Sequence, residues 1–340
     1  MLPKPPPRLG QLGFLYVPPI RVQGVSVAGE KSAVMVPEFD VCFDIGVCHR
    51  PMLASRIVAL SHGHMDHVAA LPYYFSQRWF QGMGTGVCVC DKRIEPAVRQ
   101  MMQGWIDLEQ QETSHEIIGL DEDEEFEIKN NIFLRAFAVD HTVPAMAYSV
   151  IERRTKLKPE YLDLPQSRLM ELKRGGEEIT REIRVPVVTY LGDTLPGAHL
   201  FRQEVLEARV LIMECTFFEP EHKARALIGK HVHLDDIVEL MPHLQCEALI
   251  LTHLSRRTNL GLAKRQLHER LGSERAARVH LLMDHKGNRA RYEAQLEEAE
   301  AQERASGSNG SGGSGTSVPR RTATASVLSD AEYLEGEGDA

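Results

Sequence analysis

Ser61-His62-Gly63-His64-Met65-Asp66-His67 gathers three imidazoles and one carboxylate within seven consecutive residues. The apolar run Ile57-Val58-Ala59-Leu60 stands directly before it, the pattern of a buried strand. Packing has no use for so many ionisable groups at a strand end. Neutral imidazole nitrogens and carboxylate oxygens suit zinc and similar borderline divalent metals. The spacing therefore predicts a metal site at the end of a strand. A polar strand-to-helix turn with incidental histidines is the plainer reading, and it leaves the crowding of donors unexplained.

Other apolar runs repeat the arrangement. The run 132–139 ends in Asp140-His141, and 185–191 ends in Gly192-Asp193-Thr194. Likewise 210–213 leads to Glu214-Cys215-Thr216, and 248–252 to His253. Ionisable residues at successive strand ends predict that those ends converge on one site, as in open α/β sheets. Asp44 closes another run, Val41-Cys42-Phe43. It reads equally as a carboxylate partner for a metal-bound imidazole or as a plain turn former. Lys230-His231-Val232-His233-Leu234 precedes a helix expected over 235–241.

The intervening segments supply the elements that must position these groups. A helix is expected over 68–80, with Leu71, Tyr74, Phe75 and Trp79 at helical spacing. Another is expected over 93–111, its stripe Val98, Met101, Met102, Trp105 and Leu108 read as core. Asp121-Glu122-Asp123-Glu124-Glu125 reads as a solvated loop edge repelling its own charges. The stretch 152–184 mixes Arg153, Arg154, Lys156, Lys158, Lys173 and Arg174 with acids, either an ordinary insertion or a phosphate-contacting surface. A highly charged helix is expected over 287–305, and disorder over the Gly/Ser-rich and acidic tail 306–340.

Composition sets outer bounds. The chain has 340 residues, 43% hydrophobic and 26% charged, the profile of an ordinary soluble protein. No apolar run is long enough for a membrane span, and the start lacks the apolar core of a secretory signal, so cytoplasmic residence is expected. The six cysteines are then expected reduced, with Cys88 and Cys90 as small buried side chains on one strand face. A net charge of −9 argues against coating nucleic acid non-specifically, though not against a local patch working with metals.

These residues carry a family resemblance. His62-Gly63-His64-Met65-Asp66-His67 followed by His141, Asp193 and His253 is similar to the signature of metallo-β-lactamase fold hydrolases. That resemblance implies an α/β fold, an αββα sandwich of two mixed β-sheets flanked by helices, over residues 1–286. Met213-Glu214-Cys215-Thr216-Phe217, His231-Val232-His233 and Leu251-Thr252-His253-Leu254-Ser255-Arg256 narrow it to ribonuclease Z, the tRNA 3′-processing endonucleases, nearest the short plant type. The resemblance implies two zinc ions per subunit: His62, His64 and His141 on one, Asp66, His67 and His253 on the other, Asp193 bridging. It implies Asp66 as the group that orients water and takes its proton. Glu214 and His231 would be the acid pair, with His233 the competing histidine. Implied too are a precursor tRNA substrate and a homodimer, with neither membrane nor DNA as partner. The Gly/Pro-rich arm of bacterial relatives is missing between His141 and Asp193. The interval 152–184 is therefore read as a reduced insertion, with Arg153, Lys156, Lys173 and Arg174, and Arg256 beyond it, as phosphate contacts. Rival readings are a phosphodiesterase for cyclic nucleotides or small phosphodiesters, and a non-catalytic RNA- or protein-binding scaffold. The filled ligand positions speak against the scaffold.

Overall fold

The apolar runs assemble as two sheets of seven strands among the described residues, which in this computed structural model are 2–5 and 12–308. The first sheet takes its strands in chain order: β1 (Gly13–Val17), β2 (Ile20–Val27), β3 (Lys31–Val36), β4 (Val41–Phe43), β5 (Ile57–Ala59), β6 (Gly86–Asp91) and β7 (His115–Leu120). The second does the same: β8 (Glu125–Lys129), β9 (Ile132–Val139), β10 (Ala145–Leu157), β11 (Thr180–Tyr190), β12 (Val210–Glu214), β13 (Ala248–Thr252) and β14 (Val279–Leu281). Both are mixed, with antiparallel pairing from β1 to β4 and parallel pairing from β4 to β7. The second is antiparallel from β8 to β11 and parallel from β11 to β14.

Strand periodicity explains the layering. Val34, Phe43, Ile57 and Val89 of the first sheet meet Leu134, Tyr148, Val188 and Ile212 of the second in a shared core. The alternate residues of the first sheet, among them Val58, Cys88 and Cys90, pack against α2 (Leu71–Phe80) and α3 (Glu95–Glu109), which follow α1 (Met65–Val68). On the far side, Leu211, Met213, Leu249 and Leu251 cover Ile237, Leu240 and Leu267 of the helical segments Leu234–Leu240 and Leu260–Ala276. Helix, sheet, sheet, helix is the αββα sandwich expected. Central strands buried on both faces read as unbroken apolar runs, which is why they stood out. Each large apolar side chain buried this way contributes about 1.5–3 kcal/mol relative to exposure.

Several local expectations are corrected. The helix expected over 68–80 starts at Leu71 as α2, since Val68 ends the short α1 and 69–70 are a turn; Pro72 lies in the first turn of α2. Trp79, Trp105 and Leu108 are exposed by 49%, 47% and 75%, so the stripes on α2 and α3 are core at Leu71, Tyr74, Phe75, Val98 and Met102, with Met101 partly buried against them. The acidic run is the exposed turn expected at 121–124, but its charges are paired rather than left to repel. Lys92 pairs with Asp121, Arg202 with Glu122 and Asp123, and Glu125 is shared among arginines.

The stretch 152–184 is an arm. β10 and β11 run on past their neighbours as a paired ribbon, Arg153↔Arg184 through Leu157↔Thr180. The short helix α4 (Gln166–Arg174) lies between the two strands along the chain. After it come α5 (Gln203–Leu206), α6 (Lys223–Gly229), α7 (Leu234–Leu240), α8 (Leu260–Ala276) and α9 (His285–Ser308). One compact unit reaches Gln295, and a second begins at Leu296, described as helix through Ser308. Residues 309–340 of the expected tail lie outside the described residues. No helix among the described residues is long and apolar enough to cross a membrane.

Candidate metal centre

Strand direction brings the ionisable residues to one edge. β9, β11, β12 and β13 all run the same way, so their carboxyl ends coincide and deliver His141, Asp193, Glu214 and His253. The loop after β5 joins them, tied to the second sheet where Met146 donates its N–H to the Ser61 carbonyl at 2.9 Å. His253 takes φ 55°, in the left-handed region that a β-carbon disfavours. Such strain persists where the surroundings enforce a functional conformation.

Four sets of donor atoms lie within 4.8 Å of one another: His62, His64 and His141; His62, His67 and Asp193; Asp66, His67 and His253; Asp193, His231 and His253. Asp193 Oδ2 stands 3.9 Å from His62 Nε2, 3.4 Å from His67 Nε2 and 3.3 Å from His253 Nε2. It thus touches members of both the first and third sets. Asp66 Oδ2 is 3.5 Å from His67 Nε2 and 3.4 Å from His253 Nε2, and it accepts the Gly29 N–H at 3.0 Å.

Ring tautomers test whether a metal fits. Ser61 Oγ donates to Asp44 Oδ2 at 2.8 Å, so it accepts from His62 Nδ1 at 2.9 Å. His67 Nδ1 donates to Asp44 Oδ2 at 2.7 Å, and His141 Nδ1 to the Lys230 carbonyl at 3.1 Å. Thr216 Oγ1 donates to Glu214 Oε2 at 2.6 Å, leaving it to accept from His253 Nδ1 at 3.0 Å. All four rings spend their proton at Nδ1, as metal-binding imidazoles do. That leaves Nε2 of each ring turned into the cluster: His62 and His141 lie 2.9 and 3.3 Å from His64 Nδ1, and His67 lies 3.4 Å from His253. These nitrogens and the carboxylates of Asp66 and Asp193 lie close enough together to share a cation. The residues present fit divalent metal.

Electrostatics agree. Burial, helped by His67, pushes His62 down to about 2, and burial likewise lowers His64 and His141, so these rings are neutral donors. Burial would raise Asp66, but the His253 hydrogen bond and the charges of His67 and His253 hold it at about 2. His67 is raised against burial by the carboxylates of Asp193 and Asp44, so without metal it holds the proton that a cation would displace.

His231, a member of the fourth set, donates from Nδ1 to Glu214 Oε1 at 2.8 Å. Glu214 is 1% exposed and also accepts the Thr194 N–H at 3.0 Å. Burial would lower His231; the Glu214 hydrogen bond and charge, with Asp193, raise it instead. His233 does different work. Its Nδ1 accepts the Asp235 N–H at 3.1 Å, capping α7, while Nε2 donates to the Glu219 carbonyl at 3.1 Å.

The expected phosphate contacts lie apart from this cluster. Lys156, Lys173 and Arg174 are exposed on the arm. Arg153 is engaged within the protein, bonded to Glu125 and stacked 3.7 Å over Phe133. Arg256, 82% exposed on its side chain, shares with Arg225 and Arg257 a cavity of about 410 Å³ that reaches Thr216 and Phe217. Sequence reasoning passed over Tyr190, Thr216, Lys230, Arg225 and Arg257. Only contacts across the fold reveal them.

Gly46 packs against this loop so closely that a β-carbon would sit 1.7 Å from the Asp66 carbonyl oxygen. Gly46→Ala is expected to lower stability by at least about 1–3 kcal/mol, because the obstructing atoms are backbone. Denaturant unfolding measures it, and wild-type stability would refute the contact.

Comparison with known proteins matches residues 49–254 to the Beta-lactamase superfamily domain. The tRNase Z TRZ1 of Arabidopsis thaliana is 30% identical over 239 residues, covering 69% of this chain and 85% of the relative. The chloroplastic tRNase Z TRZ2 of the same plant is 32% identical over 242 residues, covering 69% of this chain and 68% of the relative. Human tRNase Z, short form, shares the fold with a TM-score of 0.51 at 18% identity, over 79% of this chain and 95% of that one. The chain belongs to the beta-lactamase superfamily and, within it, to the tRNase Z family.

Proposed function

We propose that this chain is a zinc-dependent endoribonuclease that removes the 3′ trailer from precursor tRNA, loading two zinc ions per subunit. The observation that carries the reading is the Glu214–His231 pair beside two donor sets that meet at Asp193. A metal centre alone would serve many hydrolyses. An imidazolium held ready beside it serves one in which an alkoxide leaves.

His62, His64 and His141 would hold one ion and Asp66, His67 and His253 the other, with Asp193 between. When bound, such ions supply an ionised water and relieve charge on the phosphate. Asp66 stays ionised and orients the attacking water by accepting its hydrogen; at about 2, its carboxyl is a weak store for the proton itself. His231, raised by Glu214, gives its proton to the departing 3′ oxygen. The products are a tRNA with a 3′ hydroxyl and a trailer with a 5′ phosphate. Lys156, Lys173, Arg174 and Arg256 are proposed to contact RNA phosphates, offsetting the chain's net charge of −9 locally. Homodimer formation belongs to the same proposal, and so does cytoplasmic residence, for which the named relatives give no common support, one of them being chloroplastic.

The test uses purified full chain on a precursor tRNA with a 3′ trailer and, separately, on a small chromogenic phosphodiester. Chelation should abolish both activities and zinc should restore them. Cleavage of the small substrate alone would overturn the tRNA reading. Replacing residues 158–179 by a short turn should lower kcat/KM on the precursor by about 10- to 100-fold, through lost phosphate contacts.

A further inference from the structure

We infer that Glu125 is a positioning residue that fixes the direction in which the arm leaves the sandwich, at the end of β10 and β11 away from the metal centre, and so sets where RNA held on the arm lies. The inference rests on the proposed tRNA reading. Its basis is where the arm departs. β9 accompanies β10 only as far as Ile132↔Glu152, and β12 accompanies β11 only from Val188. Between these limits the ladder shifts register after Val150, with Pro186 opposite Ile151. A bulge beside a proline sharpens local twist, and Pro is tolerated where a strand has an open side. From there both strands continue as a two-stranded ribbon, an element with little rigidity of its own.

Arg153 and Arg184 face each other across this root, with Arg135 on the adjacent β9. Like charges directly opposite are destabilising. Glu125, on the edge strand β8, resolves the conflict. Its Oε2 accepts from Arg153 Nη2 at 2.5 Å, while Oε1 pairs with Arg184 and lies 3.5 Å from Arg135 Nη1. One carboxylate thus ties four neighbouring strands where the ribbon leaves the sheet. The surroundings hold the guanidiniums in place: Arg135 reaches Glu204 at 3.0 Å and Asp123 at 2.9 Å, and Arg153 lies over Phe133.

Magnitude decides what such a network is for. Partly exposed ion pairs add little to folding stability individually, so the clamp is a weak reason for the sandwich to stay folded. Shared geometry is a stronger reason for the ribbon to keep one angle. Arg153 then belongs to the clamp rather than to the RNA, and the acidic run that ends in Glu125 acquires a purpose.

Glu125→Gln removes the charge and keeps the shape. It should raise KM for precursor tRNA about 10-fold with kcat within about twofold, because misplacing a bound substrate is costly even far from the chemistry. Cleavage of the small phosphodiester should not change. Amide exchange should speed up at 153–157 and 180–184 and stay slow in β12 and β13. Equal loss on both substrates would make Glu125 merely structural and overturn the inference. Unchanged or improved precursor cleavage, alongside a harmful arm replacement, would overturn the clamp alone. A harmless arm replacement would overturn the RNA role of the arm, and the clamp with it.

Discussion

His231→Ala is expected to lower kcat on precursor tRNA by about 10²- to 10⁴-fold, the usual worth of a positioned general acid. Metal content and stability should stay near wild type. The reason lies in which nitrogen is committed. Nδ1 donates to the buried Glu214, and Nε2 makes no hydrogen bond among the described residues. His231 therefore has an atom left for the leaving oxygen. His233 has none, since both ring nitrogens serve the backbone and its residue is 4% exposed. His233→Ala should cost about 1 kcal/mol of stability as a lost helix cap, with kcat nearly unchanged. Normal cleavage by His231→Ala with a dead His233→Ala would reverse the assignment. Loss of metal in His231→Ala would make it a ligand, a role its nearness to Asp193 and His253 permits.

The pH profile adds a second readout. As an acid His231 must be protonated, so kcat/KM should hold below its pKa and fall as pH rises through it. Glu214 is what raises that pKa against burial. Glu214→Gln leaves only Asp193 to oppose burial, so the alkaline limb should move to lower pH. An unmoved limb would show that another group sets it.

Much of the centre was legible because each donor follows an apolar run. His62 follows β5, His141 follows β9, Asp193 follows β11 and His253 follows β13. A strand buried on both faces announces itself, and the residue after it is fixed by chain geometry. What holds the rings was not legible. Tyr190 reaches Asp44 across 146 positions, and the Lys230 carbonyl reaches His141 across 89. No local pattern encodes such meetings, which depend on how the sheets stack. The partners of the exposed acidic run were hidden for a related reason. Its partners Arg135, Arg153 and Arg202 lie on elements whose register appears only after folding. Trp105 and Leu108 keep helical spacing, yet the rest of α3 overhangs the sheet, so periodicity alone overstated the core.

Asp44→Asn should weaken metal binding by about 10- to 100-fold without touching one ligand, the usual effect of losing a partner to a metal-bound imidazole. Asp44 is fully buried and accepts four hydrogen bonds. They come from Ser61 N at 2.7 Å, Ser61 Oγ at 2.8 Å, Tyr190 OH at 2.6 Å and His67 Nδ1 at 2.7 Å. An asparagine that keeps its oxygen toward Ser61 N turns its NH₂ toward the other three donors. His67 relieves the clash by moving its proton to Nε2, into the place where metal would bind. Ser61 Oγ relieves its own by turning to donate to His62 Nδ1, which drives the His62 proton to Nε2 as well. One carboxylate thus sets the tautomers of His62 in the first set and His67 in the third, and both sets should weaken together. His141→Ala, by contrast, touches only the set it shares with His62 and His64. The backbone makes the comparison clean, because Asp44 sits at φ 58° and asparagine is among the few residues that accept that region. Zinc retained per chain against rising chelator concentration measures the effect, with unfolding of metal-free protein as the control for fold. Retention equal to wild type would show that the rings keep their tautomers without Asp44. Loss confined to the donor set of His67 would break the link through Ser61.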